Sequence, residues 1–516
     1  MARKRRPRKA PATETAPTKP KRSWAFTDPQ NLLPWAFTTL ALAIGVFTFD
    51  NRLGLSGDNA EFIVLGRSIA EGHGLTYICS PDMTPATKYP FVFPLLLALV
   101  HLVLPHSVLS MKLLVMFTFV AAIPLLYLYV RRHVGLLPAV LVTATTISSH
   151  FVLDFSHQIM SEIPYLLVSL VALAALEHSA KQPSRRSLAL AVLAVMCAYY
   201  MRTVGIALIA GGAAYFALNR RYCEGGLFLG GSLLLALPWQ IRTSLLGGES
   251  YAQTWLFRVN PYRADDGEIG WFGLVLRVLE NAQVYMLGEL PRALFPSWIG
   301  EGIPIVVSLA ISALLVYYIA TQIHRRQLTG LYLLLYLGAC FLWPTVWADV
   351  RLLTPVLPLV FLGIISAAGN LLSRFLSPRA TGFGLGVIAL AIAVPNIQAV
   401  AILTNQEHRY PPEWSTYFEA ARWIEQNTPE DAIVACRKAY LMSVISKRQT
   451  TSYTFTEDFD TVLADLQQGR ATHIVLDQLQ FSSTSRYLIP TIERHRDQFS
   501  YVHHIPDPDT FILRVE

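Results

Sequence analysis

The chain has 516 residues, of which 53% are hydrophobic and only 15% are charged. Soluble domains usually have about 25% charged residues, so this composition and the mean hydropathy of +0.40 exclude an ordinary water-soluble enzyme. The net charge of +7 does not indicate nucleic-acid binding, because residues 1–22 contain nine Lys or Arg and one acid, Glu14. This tail therefore carries a net charge of +8, and the other 494 residues carry a net charge of −1. We expect a membrane protein with no nucleic-acid partner.

A long apolar region follows the basic tail. We predict a disordered cytoplasmic tail over 1–29 and a multi-span membrane region over 30–402, because apolar stretches of about 18 residues are long enough to cross a bilayer. Eleven candidate stretches occur, at about 32–49, 108–130, 135–150, 159–177, 187–201, 203–218, 226–240, 303–323, 328–346, 352–372 and 382–402. The predicted fold class is an α-helical polytopic membrane protein with about eleven transmembrane helices.

Basic residues between these stretches set the predicted orientation. Cytoplasmic loops are enriched in Lys and Arg, and with the tail inside, every even-numbered stretch ends beside basic residues. These are Arg131, Arg132, Lys181, Arg185, Arg186, Arg220, Arg221, Arg325, Arg326, Arg374 and Arg379. We therefore predict a multi-pass protein of the cell (inner) membrane, with a cytoplasmic N-terminus and an extracytoplasmic C-terminus.

Two loops are then predicted to lie outside, at about 50–107 and 241–302. Within the first loop, residues 91–104 are apolar but too short to span a bilayer, and they include Pro94. We expect a helix along the outer membrane surface there, with a short true span as the alternative.

The C-terminal segment, 403–516, is predicted to be a small extracytoplasmic α/β domain. Its 11 Lys or Arg and 16 Asp or Glu give a net charge of −5. Helical patterns alternate with short strand-like runs, which favours a sheet flanked by helices. The helical patterns cover 413–427 and 459–468, and the strand-like runs cover 432–436 and 473–476.

Acidic residues after the first stretch are candidates for catalysis, since charged groups near an apolar matrix are expensive and often functional. Asp58 and Glu61 are three residues apart, so a helix would place them on one face. One carboxylate can act as a general base toward a hydroxyl or amine, and a second can bind a metal ion. The structural alternative is that the two acids stabilise a helix N-terminus.

A second acidic group lies in the segment FVLDFSHQIMSEIPY. Asp154 and Glu162 are further catalytic candidates, and Glu162 also suits the N-terminus of the fourth span. His157 and Glu61 are candidate ligands of a divalent metal ion, with a hydrogen-bonding histidine as the alternative.

Three cations, Lys88, Arg202 and Arg351, are predicted to face outside, against the inside-positive rule. The phosphate of a lipid carrier would explain them, because Arg and Lys bind phosphate oxygens. The alternative is snorkelling, or pairing with Asp154 or Asp349.

The order of these motifs resembles that of the GT-C membrane glycosyltransferases. An acidic motif after the first span precedes Gly72-His73-Gly74, Lys88-Tyr89-Pro90 and a Pro-interrupted outer helix. The segments MSEIPY, MRTVG and VRLLTPVLP each resemble recurrent segments of bacterial members. The chain is similar to the dolichyl-phosphate-mannose-protein mannosyltransferase and ArnT-like group (glycosyltransferase family 39) over about 30–402.

The resemblance implies transfer of a hexose or pentose from a polyprenyl-phosphate-linked donor at the outer face of the membrane, usually with inversion. It implies that Asp58 is the base and that Lys88, with Arg202 or Arg351, binds the donor phosphate. Glu61 departs from the family pattern, in which two acids are often adjacent. The implied partners are the lipid-linked sugar, a lipid, protein or glycan acceptor, and membrane lipid, and a divalent metal ion is the one candidate cofactor.

Two other classes of function stay open from the residues alone. A polyprenyl-lipid or glycan transporter (flippase) would place charges along the middle of its spans, whereas the candidates here cluster at one end. A non-catalytic membrane anchor for the C-terminal domain would leave Asp58 and the three cations unexplained.

Overall fold

A computed structural model describes residues 29–247, 256–261, 266–298, 302–405 and 409–516. The predicted disordered tail lies outside the described residues except for Pro29, which begins the first helix. Parts of the predicted 241–302 loop also lie outside them.

Helices make up most of the described chain before residue 406. They are α1 (Pro29–Phe47), α2 (Gly57–Ala70), α3 (Val92–Val103), α4 (Val108–Val134), α5 (Leu136–Ile147), α6 (His150–Ser156), α7 (Glu162–Lys181), α8 (Arg185–Met201), α9 (Ile206–Leu218), α10 (Tyr222–Leu245), α11 (Trp271–Val284), α12 (Leu290–Leu294), α13 (Ile305–His324), α14 (Leu328–Leu342), α15 (Val350–Leu353), α16 (Leu357–Leu372) and α17 (Pro378–Asn405).

Each of the eleven predicted spans contains a helix, but these helices differ in length. Among the described residues, five are long and apolar enough to cross a bilayer: Val108–Val134, Glu162–Lys181, Ile305–His324, Val350–Leu372 and Pro378–Ile402. The helices α5 and α6 are bent by 56° across a short break and make a sixth if they form one span. The fold is that of a multi-pass membrane protein, while the number eleven and the orientation stay predictions.

The ends of α4 illustrate how sequence sets these boundaries. The Ser107 hydroxyl accepts a hydrogen bond from the backbone N–H of Ser110, which caps the first turn. Arg131 and Arg132 lie in the last turn, where cations interact favourably with the helix dipole. Gly135 then takes a φ of +88°, a conformation that favours glycine, and α5 starts at the next residue.

The apolar segment 91–104 forms the helix α3, which packs closely against α2. A Cβ atom at Gly66 of α2 would lie 2.8 Å from the Cβ of Leu97, so the two helices approach too closely there for a side chain. The opposite face of α3 exposes Leu95, Leu99 and Leu102. One buried and one exposed apolar face agree with the predicted surface helix, although its position in the bilayer stays a prediction.

The C-terminal segment forms a five-stranded mixed sheet with helices. The helices are α18 (Pro412–Asn427), α19 (Ala439–Ser446), α20 (Phe459–Gln468) and α21 (Ile489–Arg494), and the strands are β1 (Ile433–Ala435), β2 (Gln449–Thr451), β3 (His473–Leu476), β4 (Phe499–Ile505) and β5 (Thr510–Val515). The strand order is β2-β1-β3-β5-β4, in which β1 is parallel to β2 and β3, and β5 is antiparallel to β3 and β4. Helices and strands thus occur at all four positions that the sequence pattern indicated.

This C-terminal unit packs directly on the membrane region. Its helix α19 contacts α2, and the backbone N–H of Thr450 donates to the carbonyl of Cys79 at 2.7 Å. The rings of Tyr77 and Tyr440 contact each other at 5.2 Å between centroids. Cys79 and Cys436 are both buried and unpaired. The contact places the sheet beside the acidic N-terminus of α2.

Candidate functional site

The two carboxylates of α2 share one face and meet the same cation. The Nζ atom of Lys88 lies 2.8 Å from Oε2 of Glu61 and 3.4 Å from Oδ1 of Asp58. The Tyr77 hydroxyl donates to the other Glu61 oxygen at 2.6 Å. Glu61 is therefore buried with both oxygens hydrogen-bonded, while Asp58 keeps 23% of its side chain exposed.

Arg351 joins this pair to a third carboxylate. Its Nη1 lies 2.7 Å from Oδ2 of Asp58, and its Nε lies 2.5 Å from Oε1 of Glu162. Asp349 caps the short helix α15 by accepting from the Arg351 backbone N–H at 2.7 Å. Asp349 thus orients the backbone of Arg351, whereas the guanidinium pairs with Asp58 and Glu162.

Glu162 begins α7 and is fully buried between two arginines. Arg202 Nη1 lies 2.8 Å from the same Glu162 oxygen that Arg351 contacts, and it also donates to the Ser161 hydroxyl at 2.9 Å. Arg202 ends α8 at a sharp turn, in which a Cβ at Gly205 would lie only 2.6 Å from the Cα of Tyr199. The glycine of the MRTVG motif is therefore required by the close approach of the chain at this turn.

Long-range hydrogen bonds fix the segments that carry these side chains. The Asn59 side-chain oxygen accepts from the backbone N–H of Ile159 at 2.8 Å, which ties α2 to the segment before Glu162. Arg242 of α10 donates to the carbonyls of Leu75 and Ala86, so it holds the loop that carries Lys88. The six residues Asp58, Glu61, Lys88, Glu162, Arg202 and Arg351 form what we call the Asp58 cluster.

The two acids of α2 differ in pKa because their partners differ. Burial raises the pKa of Asp58, but the charges of Lys88 and Arg351 outweigh burial and hold that pKa well below its usual range. Burial raises the pKa of Glu61 above its usual value, and the opposing effects of Lys88 and Tyr77 are smaller. Asp58 is thus a permanent carboxylate at neutral pH and, in this state, a weak base.

The predicted metal site does not fit these contacts. No group of three or more His, Cys, Asp or Glu side chains suited to a metal ion occurs in the part of the chain that the structure describes. Both oxygens of Glu61 already accept hydrogen bonds, from Lys88 and from Tyr77. His157 instead bonds the Thr48 hydroxyl through Nε2 at 3.1 Å. His157 and Glu61 therefore do not fit the role of metal ligands in this arrangement.

A cavity of about 370 Å³ opens on one side of the Asp58 cluster. Asp58, Lys88, Arg202 and Arg351 form part of its wall. The rest of its wall includes apolar groups, among them Trp343, Trp347, Val346, Leu352 and Met201. We call this the tryptophan cavity, and its lining combines charged and apolar side chains.

A second, larger cavity of about 810 Å³ lies between α2 and the C-terminal unit. We call it the C-terminal cavity. Asp58, Lys88 and Arg351 line it as well as the tryptophan cavity, and Glu61 joins them. The C-terminal unit contributes Arg437, Lys438 and several hydroxyl groups. Asp58 therefore lies where the two cavities meet.

Two predicted site residues, Asp154 and His157, lie apart from both cavities. Asp154 accepts a hydrogen bond from the Gln158 amide at 2.9 Å, and the buried Lys112 donates to the carbonyl of Arg52. Arg52 pairs with Asp50 at 2.8 Å. We call Asp50, Arg52, Lys112, Asp154 and His157 the Asp50 cluster.

Sequence reasoning missed several groups at the site. Tyr77 binds Glu61, and Arg437 and Lys438 line the C-terminal cavity. The basic pair Arg437-Lys438, in a segment of net charge −5 and directly after the predicted strand 432–436, was a usable signal. Nothing in the sequence indicates that this turn meets α2.

Comparison with solved structures identifies the fold as that of GT-C glycosyltransferases. The chain is similar to the Archaeoglobus fulgidus oligosaccharyltransferase in complex with zinc and sulfate, with 12% identity and a TM-score of 0.58 over 93% of this chain and 72% of that one. It is similar to ArnT from Cupriavidus metallidurans bound to undecaprenyl phosphate, with 13% identity and a TM-score of 0.58 over 93% and 97%. It also matches the mycobacterial arabinofuranosyltransferase AftD, with 14% identity and a TM-score of 0.51 over 93% of this chain and 41% of that one. No protein-family model and no curated protein sequence matches the chain.

Proposed function

We propose that the protein is a glycosyltransferase that moves a sugar from a polyprenyl-phosphate donor to an acceptor at the outer face of the membrane. The observation that carries this proposal is the position of Asp58, which lies where the two cavities meet and is bound by cations that line both. A donor on one side and an acceptor on the other would meet at this carboxylate.

The tryptophan cavity has the chemistry that a lipid-linked phosphate needs. Lys88, Arg202 and Arg351 supply hydrogen-bond donors and positive charge for the phosphate oxygens. Trp343 and Trp347, with ring centroids 5.8 Å apart, supply apolar surface for the isoprenoid chain. Glu162 does not line this cavity, and its proposed role is to hold Arg202 and Arg351 in position.

Donor binding would also activate Asp58. The charges of Lys88 and Arg351 lower the pKa of Asp58. A phosphate bound to those same cations would share them, so their effect on Asp58 would weaken and its pKa would rise toward the ordinary value. The carboxylate would then become a better base once the donor is in place.

The reaction step follows from this arrangement. The acceptor oxygen attacks the anomeric carbon from the C-terminal cavity, and its proton passes to Asp58. The bond between the anomeric carbon and the phosphate oxygen breaks, and its electron pair stays on the phosphate. Lys88, Arg202 and Arg351 stabilise the charge that develops there. A single displacement of this kind inverts the anomeric centre.

The structural neighbours support the donor assignment in general terms. The neighbouring ArnT structure contains undecaprenyl phosphate, and an A. fulgidus oligosaccharyltransferase structure is tethered to an acceptor peptide. By this analogy, the donor of the present chain is a polyprenyl-phosphate sugar and the acceptor is a lipid, protein or glycan.

The test is transfer by the purified full chain in proteoliposomes. Synthetic undecaprenyl-phosphate hexoses and pentoses serve as donors, a membrane extract supplies the acceptor, and released undecaprenyl phosphate is measured. We expect Asp58→Asn to lower the rate by about 10² to 10⁴-fold, because a general base is lost. Near-normal turnover by a correctly inserted Asp58→Asn protein would contradict the base assignment.

The same vesicles test the transporter alternative. Transbilayer movement of the donor lipid is measured without acceptor, in the wild type and in Asp58→Asn. Rapid movement with no sugar transfer in the wild type would favour a flippase over a transferase.

A further inference from the structure

Arg437 and Lys438 differ from the other cations of the site because, among the described residues, no carboxylate lies within salt-bridge distance of either. Both lie in the turn between β1 and α19 and line the C-terminal cavity. Within the described chain, neither side chain forms a salt bridge, and Nε of Arg437 is buried without a hydrogen-bond partner. By contrast, Lys88, Arg202 and Arg351 each pair with at least one carboxylate.

Aromatic rings hold the two cations in place. The Arg437 guanidinium lies 4.9 Å from the ring centroid of Phe455 and 4.8 Å from that of Phe481. The Lys438 ammonium lies 4.5 Å from the ring centroid of Phe481. Cation–π contacts fix the position of a cation but leave its N–H groups available to an acceptor of hydrogen bonds.

The charge balance of the cavity favours an anion. Lys88, Arg351, Arg437 and Lys438 supply four positive charges, and Asp58 and Glu61 supply two negative ones. Burial, and then the charge of Arg437, lower the pKa of Lys438 to about 8. Asp58 and Asp477 act on Lys438 in the opposite direction, but neither forms a salt bridge with it. A bound anion would further offset the repulsion between the two adjacent cations.

We propose that Arg437 and Lys438 bind an anionic group, a phosphate or a carboxylate, on the acceptor substrate. This inference rests on the proposed function, since it assigns the C-terminal cavity to the acceptor. Lys438 also lies next to the start of α2, because a Cβ at Gly57 would be 3.8 Å from its Nζ. An acceptor held by its anionic group would thus place a nearby hydroxyl in reach of Asp58.

The test uses three small probes that share one sugar ring: glucose 6-phosphate, glucuronate and glucose. Binding to the purified full chain in neutral-lipid nanodiscs is measured by calorimetry. We expect one or both anionic probes to bind at least about tenfold more tightly than glucose, because a charge-assisted hydrogen bond contributes more than a neutral one. The stronger of the two identifies phosphate or carboxylate as the preferred group.

The variants Arg437→Gln and Lys438→Gln each remove one cation, and we expect each to weaken anionic-probe binding by about tenfold or more. Arg496→Gln is the matched control, because Arg496 is exposed on the same C-terminal unit and lines neither cavity. Elution as a single folded species is required of every variant.

Three results would overturn the inference: no saturable binding of either anion, equal binding of glucose, or binding that Arg202→Gln weakens while Arg437→Gln does not. Binding of undecaprenyl phosphate to the wild type is measured in the same nanodiscs. Its absence would count against the proposed donor site, so failure of the proposed function and failure of this inference are distinguishable.

Discussion

Two charged clusters lie near the end of α1 and the start of α7, and in sequence they look alike. The Asp58 cluster borders two cavities, and its cations line them. The Asp50 cluster lines neither cavity, and its groups bond to backbone and to neighbouring side chains, as Lys112 does to the Arg52 carbonyl. A buried charge therefore indicates a ligand-binding site only when it adjoins a cavity that can hold a ligand.

Among the variants that compare the two clusters, Glu162→Gln should have the largest effect on the rate of sugar transfer. The neutral amide would no longer balance Arg202 and Arg351, so both would shift from the positions in which we propose that they bind the donor phosphate. A misplacement of about 1 Å can cost about 10²-fold in rate, and we expect a loss of that order in sugar transfer.

The matched control for Glu162→Gln is Glu177→Gln in the same helix. Glu177 is also buried and pairs with His133 at 2.9 Å, and it lines neither cavity. Both changes should lower the unfolding temperature, because removing one partner of a buried pair is destabilising. Only Glu162→Gln should lower the rate per folded molecule, and equal rate losses would reduce Glu162 to a structural role.

Arg202→Gln and Arg52→Gln compare the two clusters by their effect on the binding of undecaprenyl phosphate. It removes a cation that lines the tryptophan cavity, so the Kd for undecaprenyl phosphate should rise by about tenfold or more, as expected for one charge-assisted hydrogen bond of about 1.5–3 kcal/mol. Arg52→Gln removes the same charge from the Asp50 cluster and should leave that Kd unchanged. A similar rise in both variants would mean that only net charge matters.

The pH dependence of anion binding tests Lys438. Its pKa of about 8 means that it is charged below that pH and loses its charge as the pH rises through it. Its charged neighbours are Arg437, Asp58, Asp477 and Lys88. Affinity for glucose 6-phosphate should fall a few-fold between about pH 7 and about pH 9 in the wild type, and the fall should disappear in Lys438→Arg, which stays charged. A pH-independent wild type would contradict the assignment.

Asp154→Asn should have the smallest effect. Its oxygen accepts a hydrogen bond from Gln158, and an asparagine oxygen can accept the same bond. We expect the transfer rate to stay within about twofold of wild type, because this hydrogen bond is kept and Asp154 lines neither cavity. A decrease of tenfold or more in the transfer rate would instead support a catalytic role for Asp154.

The helices and their order follow largely from sequence, because an apolar stretch flanked by charges has few other ways to satisfy its backbone in a membrane. The pattern at 413–427, 432–436, 459–468 and 473–476 likewise indicated a C-terminal sheet with helices, but it did not indicate α19, α21, β2, β4 or β5. The resemblance to GT-C glycosyltransferases, stated from motif order, is confirmed at the level of the fold. The motifs also indicated Asp58 and Lys88, which the structure brings into contact.

Only the tertiary structure decided which charges belong together. Glu162 is more than one hundred residues from Asp58, and Arg351 binds both. Sequence spacing carries no information about such a contact. Asp154 and Glu162 were both catalytic candidates from sequence, and only the fold placed Glu162 against Arg202 and Arg351 and left Asp154 outside the Asp58 cluster. The pair Arg437-Lys438 became a candidate site for the same reason, because the packing of α19 on α2 created the cavity that it faces.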